Sequence, residues 1–257
     1  MSLFKSLFES KQRVPFDLSS LQVDMHSHLI PGIDDGSQTM DETLGMLIRF
    51  ADLGYKKLIT TPHIMRDHYD NTPDIIKNGL HKVRQEIEKH AIPITIEAAA
   101  EYYFDEFFME MVENNEKLLT FTGNRVLFEF SFISEPIAID KLISSMKSKG
   151  YQPVLAHYER YMYLHENAAP SGGQGVQAAQ KWRENGVEIQ MNLNSLTGHY
   201  GKAIQKQAER LVDHQLVDFV GTDCHRIEHL DMIADNLTLK YFNKLKYLPL
   251  KNKLLMD

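Results

Sequence analysis

The chain has 257 residues, 43% hydrophobic and 25% charged, with a formal net charge of −7 and a single cysteine. That length buries a substantial core and holds one large α/β barrel domain or two small ones, while the negative charge argues against a nucleic-acid backbone as the main ligand. No apolar run approaches the ~20 residues that span a bilayer, the start shows no secretory pattern, and Cys224 alone can form no internal disulfide. The expectation is therefore a cytoplasmic protein without stable membrane insertion.

In chain order, the first twenty residues stand apart as an extension to a main domain spanning 21–257. The spacing of Phe4, Leu7 and Phe8 would put them on one face of a helical turn, expected as a flap on the exterior of the main domain, since the segment has too few basic residues to anchor firmly on a membrane surface. From there short apolar runs alternate with stretches of helical spacing. Strands are expected at 21–25, 57–61, 94–100, 126–130, 152–156, 188–192 and 218–221, several of them the continuous aliphatic runs of parallel strands covered on both faces. Helices are expected at 40–52, 73–90, 137–149, 178–184 and 203–214. Thr72-Pro73 suits a helix start, and Gly54, Gly150 and Gly186 each follow a helical pattern where a left-handed residue is wanted. Residues 168–175 (AAPSGGQG) are expected to form a mobile surface loop. Seven β/α units with no domain boundary point to an α/β protein built as a single parallel barrel rather than an open sheet.

The ends of these strands carry the chemistry. Strand one runs into His26 and His28, which share a face if the chain stays extended; strand two runs into Thr61-Pro62-His63, strand three into Glu101, strand four into Glu129 and strand five into His157. Strand seven ends in Gly221-Thr222-Asp223-Cys224-His225, and the loop after strand one adds Asp35. Catalytic groups of a β/α barrel lie at the carboxyl ends of its strands. Five histidines and four carboxylates gathered there would repel or protonate one another unless cations neutralise them, so a multinuclear metal site is expected. Nitrogen and oxygen donors without thiolate suit manganese, iron(II) or zinc, and alternation turns Cys224 away from its neighbours Asp223 and His225. Such ions activate a hydroxide and clamp phosphoryl oxygens, which is the chemistry of phosphoester hydrolysis. Arg160, on the His157 loop, is placed to hold phosphate, unless it only pairs with Glu159; Tyr158, Tyr161 and Tyr163 form either an aromatic wall or rim packing. Asn192 and Asn194 are neutral, and read as hydrogen-bonding support or loop formers.

With the motifs DMHSHLIPGIDDG (24–36), TPH (61–63), Glu101, the Glu129 strand, LAHYERY (155–161), QMNLNSLTGHYG (190–201) and GTDCH (221–225), the chain resembles the polymerase-and-histidinol-phosphatase (PHP) superfamily from about residue 21 to 230. More narrowly it is similar to the bacterial manganese-dependent protein-tyrosine phosphatases of capsule and exopolysaccharide synthesis. The resemblance implies a single distorted (β/α)7 barrel of PHP type and three divalent ions, manganese first, with iron(II) or zinc as the other fits. It implies one ion on His26, His28, Glu101 and Asp223, a second sharing Glu101 with Glu129 and His157, and a third on Asp35, His63 and His225. It further implies phosphate held by Arg160, and as substrate a phosphotyrosine protein, the tail of a membrane tyrosine kinase. The family's second phosphate-binding arginine would fall at Leu230; Arg226 is the nearest arginine to that place.

The alternatives differ in what they require. A cysteine phosphatase needs an arginine six residues after its nucleophile, where Leu230 stands, with no Gly-rich loop between. A small-molecule phosphoesterase of the histidinol-phosphatase type would use the same metals with a different pocket wall. An amidohydrolase often bridges its metals with a carbamylated lysine where Glu129 stands. A binding module that had lost catalysis would keep costly buried charges without reason.

Overall fold

The computed structural model describes residues 14–134, 136–164 and 173–257. Among these, the strands in chain order are β1 (Val23–Asp24), β2 (Lys57–Thr60), β3 (His63–Ile64), β4 (Thr95–Ala98), β5 (Glu101–Tyr103), β6 (Arg125–Glu129), β7 (Gln152–Leu155), β8 (Glu188–Asn192) and β9 (Phe219–Gly221). The helices are α1 (Met40–Asp52), α2 (Pro73–Lys89), α3 (Glu106–Glu113), α4 (Ile139–Ser148), α5 (Gly173–Glu184), α6 (Leu193–Thr197), α7 (Lys202–Asp213), α8 (Ile227–Asp235) and α9 (Lys240–Leu245). Every strand pair is parallel.

The strands run in two sets, β1-β2-β4 and β3-β5-β6-β7-β8-β9. β2 and β4 lie within the expected strands 57–61 and 94–100, while β3 and β5 resume beyond those bounds after a break, and the first break has a chemical cause: Pro62 lacks an N–H and interrupts the ladder between β2 and β3. Pairing nevertheless continues across both gaps, through Ala99 N–H to Thr60 O at 3.0 Å and Glu101 N–H to Pro62 O at 3.1 Å. Nine strands thus occupy seven staves. The ring curls closed where Ser27 bridges Cys224 in parallel, with Asp223 N–H donating to His26 O at 2.8 Å and His28 N–H to Cys224 O at 2.9 Å.

Val23, Met25, Ile59, Leu127, Val154 and Phe219 are among the buried residues that fill the inside of the ring, and a larger apolar layer lies between the ring and its helices. At the amino-terminal end of the strands, Arg125 is bound by Glu188 at 2.7 Å and Lys251 reaches both Glu188 and Asp218 at 2.9 Å. The carboxyl-terminal end is left for chemistry. Thr72 caps α2 ahead of Pro73, and Gly54, Gly150 and Gly186 take left-handed backbone, as expected.

The expected helix at 178–184 starts earlier: Gly173–Gly175 belong to α5 rather than to a loop, and the rest of that expected loop lies outside the described residues. Helices α3, α6, α8 and α9 were not expected; each is short, with too few turns for periodicity to stand out. Phe4, Leu7 and Phe8 lie outside the described residues, whereas Phe16 and Leu18 are buried in the outer apolar layer.

Candidate metal centre

All nine ligand-type residues converge on one cleft of about 470 Å³, or line its floor, at the carboxyl ends of the strands. β1 continues into His26 and His28, whose Nε2 atoms lie 3.4 Å apart, so the two imidazoles do share a face. Gly221 makes room for His26 and Gln190: a Cβ there would stand 2.8 Å from His26 Cβ and 2.9 Å from Gln190 Nε2. Parallel register sets His63 beside Glu101. His157 and Asp223 both adopt positive φ, 32° and 51°, which turns their side chains off the strand direction. Asp24 helps hold the second of these turns, accepting from the Thr222 N–H at 2.8 Å and hydroxyl at 3.1 Å.

Glu101 is the hub. Its Oε2 lies 3.1 Å from His26 Nε2, 3.5 Å from His28 Nε2 and 3.3 Å from His63 Nδ1, while Oε1 lies 3.0 Å from His157 Nε2. Glu129 reaches His63 Nδ1 at 3.3 Å and His157 Nε2 at 3.5 Å. Asp223 Oδ1 is 3.3 Å from His26 Nε2 and 3.5 Å from both His28 Nε2 and His225 Nδ1. Asp35, half exposed at the rim, faces His63 Nε2 at 3.5 Å and His225 Nε2 at 3.4 Å.

The donor atoms fall into four overlapping groups: His28, Asp35, His63 and His225; His26, His157 and Asp223; His26, His28 and Glu101; His63, Glu101 and Glu129. All nine residues expected as ligands fall within these groups, which overlap beyond the expected sharing of Glu101 between two ions. His28 also lies with Asp35, and His63 also lies with Glu101 and Glu129, because each imidazole sits between two carboxylate-lined hollows.

The electrostatics show why such a cluster suits cations. Burial alone would lower the His26 pKa, yet Glu101 and Asp223 push it up to about 9. His28 is likewise raised well above the usual imidazole value against burial, chiefly by Asp34. Burial alone would raise Glu101, but the charge on His26 and His63 holds it well below the usual carboxylate range. Protons on the imidazoles do here what divalent ions would do better, since one ion satisfies several donors at once. His63 Nδ1 stands between two carboxylates without hydrogen-bond geometry to either, as a lone pair reserved for a ligand would.

Two of the supporting residues, Asp34 and Gln190, escaped the sequence. Asp34 Oδ2 accepts from His28 Nδ1 at 2.8 Å, turning Nε2 inward, and Gly36, whose Cβ would collide with His28 at 2.4 Å, lets that loop fold back. Gln190 Oε1 faces His26 Nδ1 at 3.1 Å, its amide donates to Asn192 at 2.9 Å, and Asn192 donates to Asp223 Oδ2 at 2.7 Å. Asn192 is thus support for a ligand, whereas Asn194 sits in α6 and donates to His229 O at 3.1 Å. Only the alternation of polar residues in QMNLN signalled this relay.

Arg160 lies at the cleft edge, its Nη1 3.2 Å from Asp223 Oδ2. It does not pair with Glu159, which is buried and accepts from Asn192 N–H at 3.0 Å and from the Ser195 hydroxyl. Of the two readings of the neighbouring tyrosines, packing rather than a wall holds for Tyr158 and Tyr161, which are fully buried core residues; besides histidines, the aromatic residues at the cleft are Tyr69, Tyr103, Phe130, Phe132 and Tyr200. Leu230 is buried in α8, away from solvent. Arg226 is exposed at the lip, with extended backbone just before α8, lining both the cleft and an adjoining groove. His229 also lines the cleft, its pKa lowered to about 4 by burial and by His225. Cys224 is fully buried with Sγ 3.5 Å from Met46 Sδ, turned away from the cleft as alternation required.

Comparison with known proteins bears on the same stretch of chain. A family model described as "Capsular polysaccharide synthesis, CpsB/CapC" matches residues 22–239. The tyrosine-protein phosphatase YwqE of Bacillus subtilis is 28% identical, with 80% of this chain and 78% of that protein covered. The tyrosine-protein phosphatase CpsB of Streptococcus agalactiae is 26% identical, covering 80% of this chain and 84% of that one. A solved structure from a study of YwqE from Bacillus subtilis and CpsB from Streptococcus pneumoniae, described as metal-dependent tyrosine phosphatases, superposes with a TM-score of 0.75. It is 24% identical and covers 91% of this chain and 94% of that one, which establishes the shared fold.

Proposed function

This chain belongs to the CpsB/CapC family of capsular polysaccharide synthesis, and on that premise we propose that it is a metal-dependent protein-tyrosine phosphatase. The observation that carries the proposal is the cleft itself: five imidazoles and four carboxylates interleaved at 3.0–3.5 Å, with an arginine at the edge. Relatives named as tyrosine-protein phosphatases share most of this chain's length.

Three divalent ions fit the overlapping donor groups. His26, His28, Glu101 and Asp223 would hold the first, Glu101, Glu129 and His157 the second, and Asp35, His63 and His225 the third. Nitrogen and oxygen donors suit manganese, iron(II) and zinc alike, and the family resemblance puts manganese first. Ions bound there supply positive charge to the phosphoryl oxygens and lower the pKa of water.

The residues of the chain do the rest. Arg160 spends one N–H on Asp223 and keeps the others for phosphate oxygens. Gln190 and Asn192 fix the orientation of His26 and Asp223. The rings of Tyr69 and Tyr103 border the place where a phenyl ring would enter. Phenolate is a tolerable leaving group, because tyrosine has a pKa of about 10, so a strong proton donor is a smaller requirement than for an alkyl phosphate. Arg226, at the lip, is a weaker second contact for the anion. In the cell the substrate would be a phosphotyrosine protein, the cytoplasmic tail of a membrane tyrosine kinase of polysaccharide export.

The test is hydrolysis by metal-loaded protein of a phosphotyrosine peptide against histidinol phosphate, with metal content measured on the same sample. Preference for the peptide is expected; preference for histidinol phosphate would move the assignment to a small-molecule phosphoesterase.

A further inference from the structure

Arg160 is held by more than its ion pair. Its guanidinium carbon lies 4.4 Å from the ring centre of Phe132 and 4.7 Å from that of Tyr200, over both rings. The three residues come from three different connections: Phe132 follows β6, Arg160 ends the short 3-10 turn Tyr158–Arg160 after β7, and Tyr200 lies between α6 and α7. Phe132 is itself braced by Tyr161 at 5.5 Å.

Resting on the phosphatase reading above, we propose that Phe132 and Tyr200 are positioning residues that clamp the Arg160 guanidinium for phosphate. The physical basis is a division of surfaces. A guanidinium offers its flat face to aromatic rings and its rim to hydrogen-bond acceptors. Two rings therefore restrain the group out of its plane without consuming a single N–H. Asp223 takes one edge of the fork, at 3.2 Å from Nη1, and the remaining edge is left toward the cleft. A long side chain tethered by that one bond alone would spread over several rotamers, and ordering it would cost part of the binding energy at each turnover. The rings take up that ordering in advance. They also shield the guanidinium, of which only 25% of the side chain is exposed.

The experiment combines kinetics with a readout on metal-free protein. Leucine at either position removes the ring but keeps an apolar side chain. Tyr200→Leu and Phe132→Leu should each lower kcat/KM for a phosphotyrosine peptide on the order of 3- to 30-fold, the range of a partly shielded cation–π contact. In an Arg160→Ala background the same replacements should cost less than about twofold, because a shared pathway makes the effects non-additive. Tyr200→Phe, which keeps the ring, should recover most of the loss. In metal-free protein, the Arg160 Nε–H resonance, identified by its absence in Arg160→Lys, should be displaced upfield by the rings and move back in Tyr200→Leu. Equal losses with and without Arg160, or a resonance that Tyr200→Leu does not move, would overturn the clamp. Wild-type protein that hydrolyses no phosphotyrosine peptide would instead defeat the phosphatase reading, and the resonance would still decide the clamp.

Discussion

Asp223 divides its carboxylate between Arg160 and the histidine cluster. Oδ2 takes Arg160 Nη1 at 3.2 Å, while Oδ1 lies 3.3 Å from His26 Nε2 and 3.5 Å from His28 Nε2. One residue therefore fixes the distance between the anion-binding group and the expected metals. Replacement of Arg160 by Ala should cost on the order of 10²–10³ in rate, typical for a preorganised donor to developing charge, without loss of metal. Arg226→Ala should cost less, because that side chain is exposed at the lip. Kinetics of both variants on one phosphotyrosine peptide check the order, and Arg160→Ala at wild-type rate would remove the anion role altogether.

Removal of metal should abolish activity. Prolonged dialysis against chelator is expected to leave inactive protein, with manganese restoring turnover better than magnesium, since imidazole donors favour the transition metals. The readouts are metal content and peptide hydrolysis after each addition. Full activity in protein shown to be metal-free would end the metal mechanism.

Metal loading should release protons. In metal-free protein His26 titrates near pH 9, raised by Glu101 and Asp223 against burial, so at neutral pH it carries a proton that an ion must displace. Apparent metal affinity should then rise with pH up to about 9 and level off. The same shift governs stability without metal. A raised imidazole contributes fully below its unfolded value, about 6.5, and that contribution fades as pH rises through 9. Thermal melts of metal-free protein should therefore fall in Tm between pH 6.5 and 9 relative to metal-loaded protein; parallel curves would contradict this. Proton release is measured directly with an indicator dye during titration with manganese.

Cys224→Ser should keep most of the activity. The thiol is fully buried against Met46 and pushed well above its ordinary pKa, chiefly by burial, so it is neither exposed nor ionised as a nucleophile must be. A hydroxyl in that apolar position is expected to lower stability by about 1–3 kcal/mol, and rates should be compared per folded, metal-loaded protein. A loss beyond about a hundredfold, roughly 2.7 kcal/mol of barrier, with metal content unchanged, would restore the cysteine as nucleophile.

Much of this molecule is legible in the chain because its signals are local. Aliphatic runs give the staves, Thr72-Pro73 gives a helix start, and the ligand-type residues stand at strand ends or in the loops just after them, where a parallel barrel must put them on one face. That is why nine residues spread from His26 to His225 meet in one cleft. What tertiary structure alone decides is everything that depends on a side chain's direction or on pairs far apart in sequence. Tyr158 and Tyr161 look like a wall beside Arg160 yet turn into the core, while the rings that do meet Arg160, Phe132 and Tyr200, come from connections 28 and 40 residues away. Asp34 and Asp35 are adjacent and identical in composition. Only the folding back of their loop makes one the partner of the His28 Nδ1 and places the other at the rim between His63 and His225. Sequence spacing fixes which residues reach the end of a strand; the closing of the ring fixes which atoms face one another there, because that depends on the packing of all seven staves together.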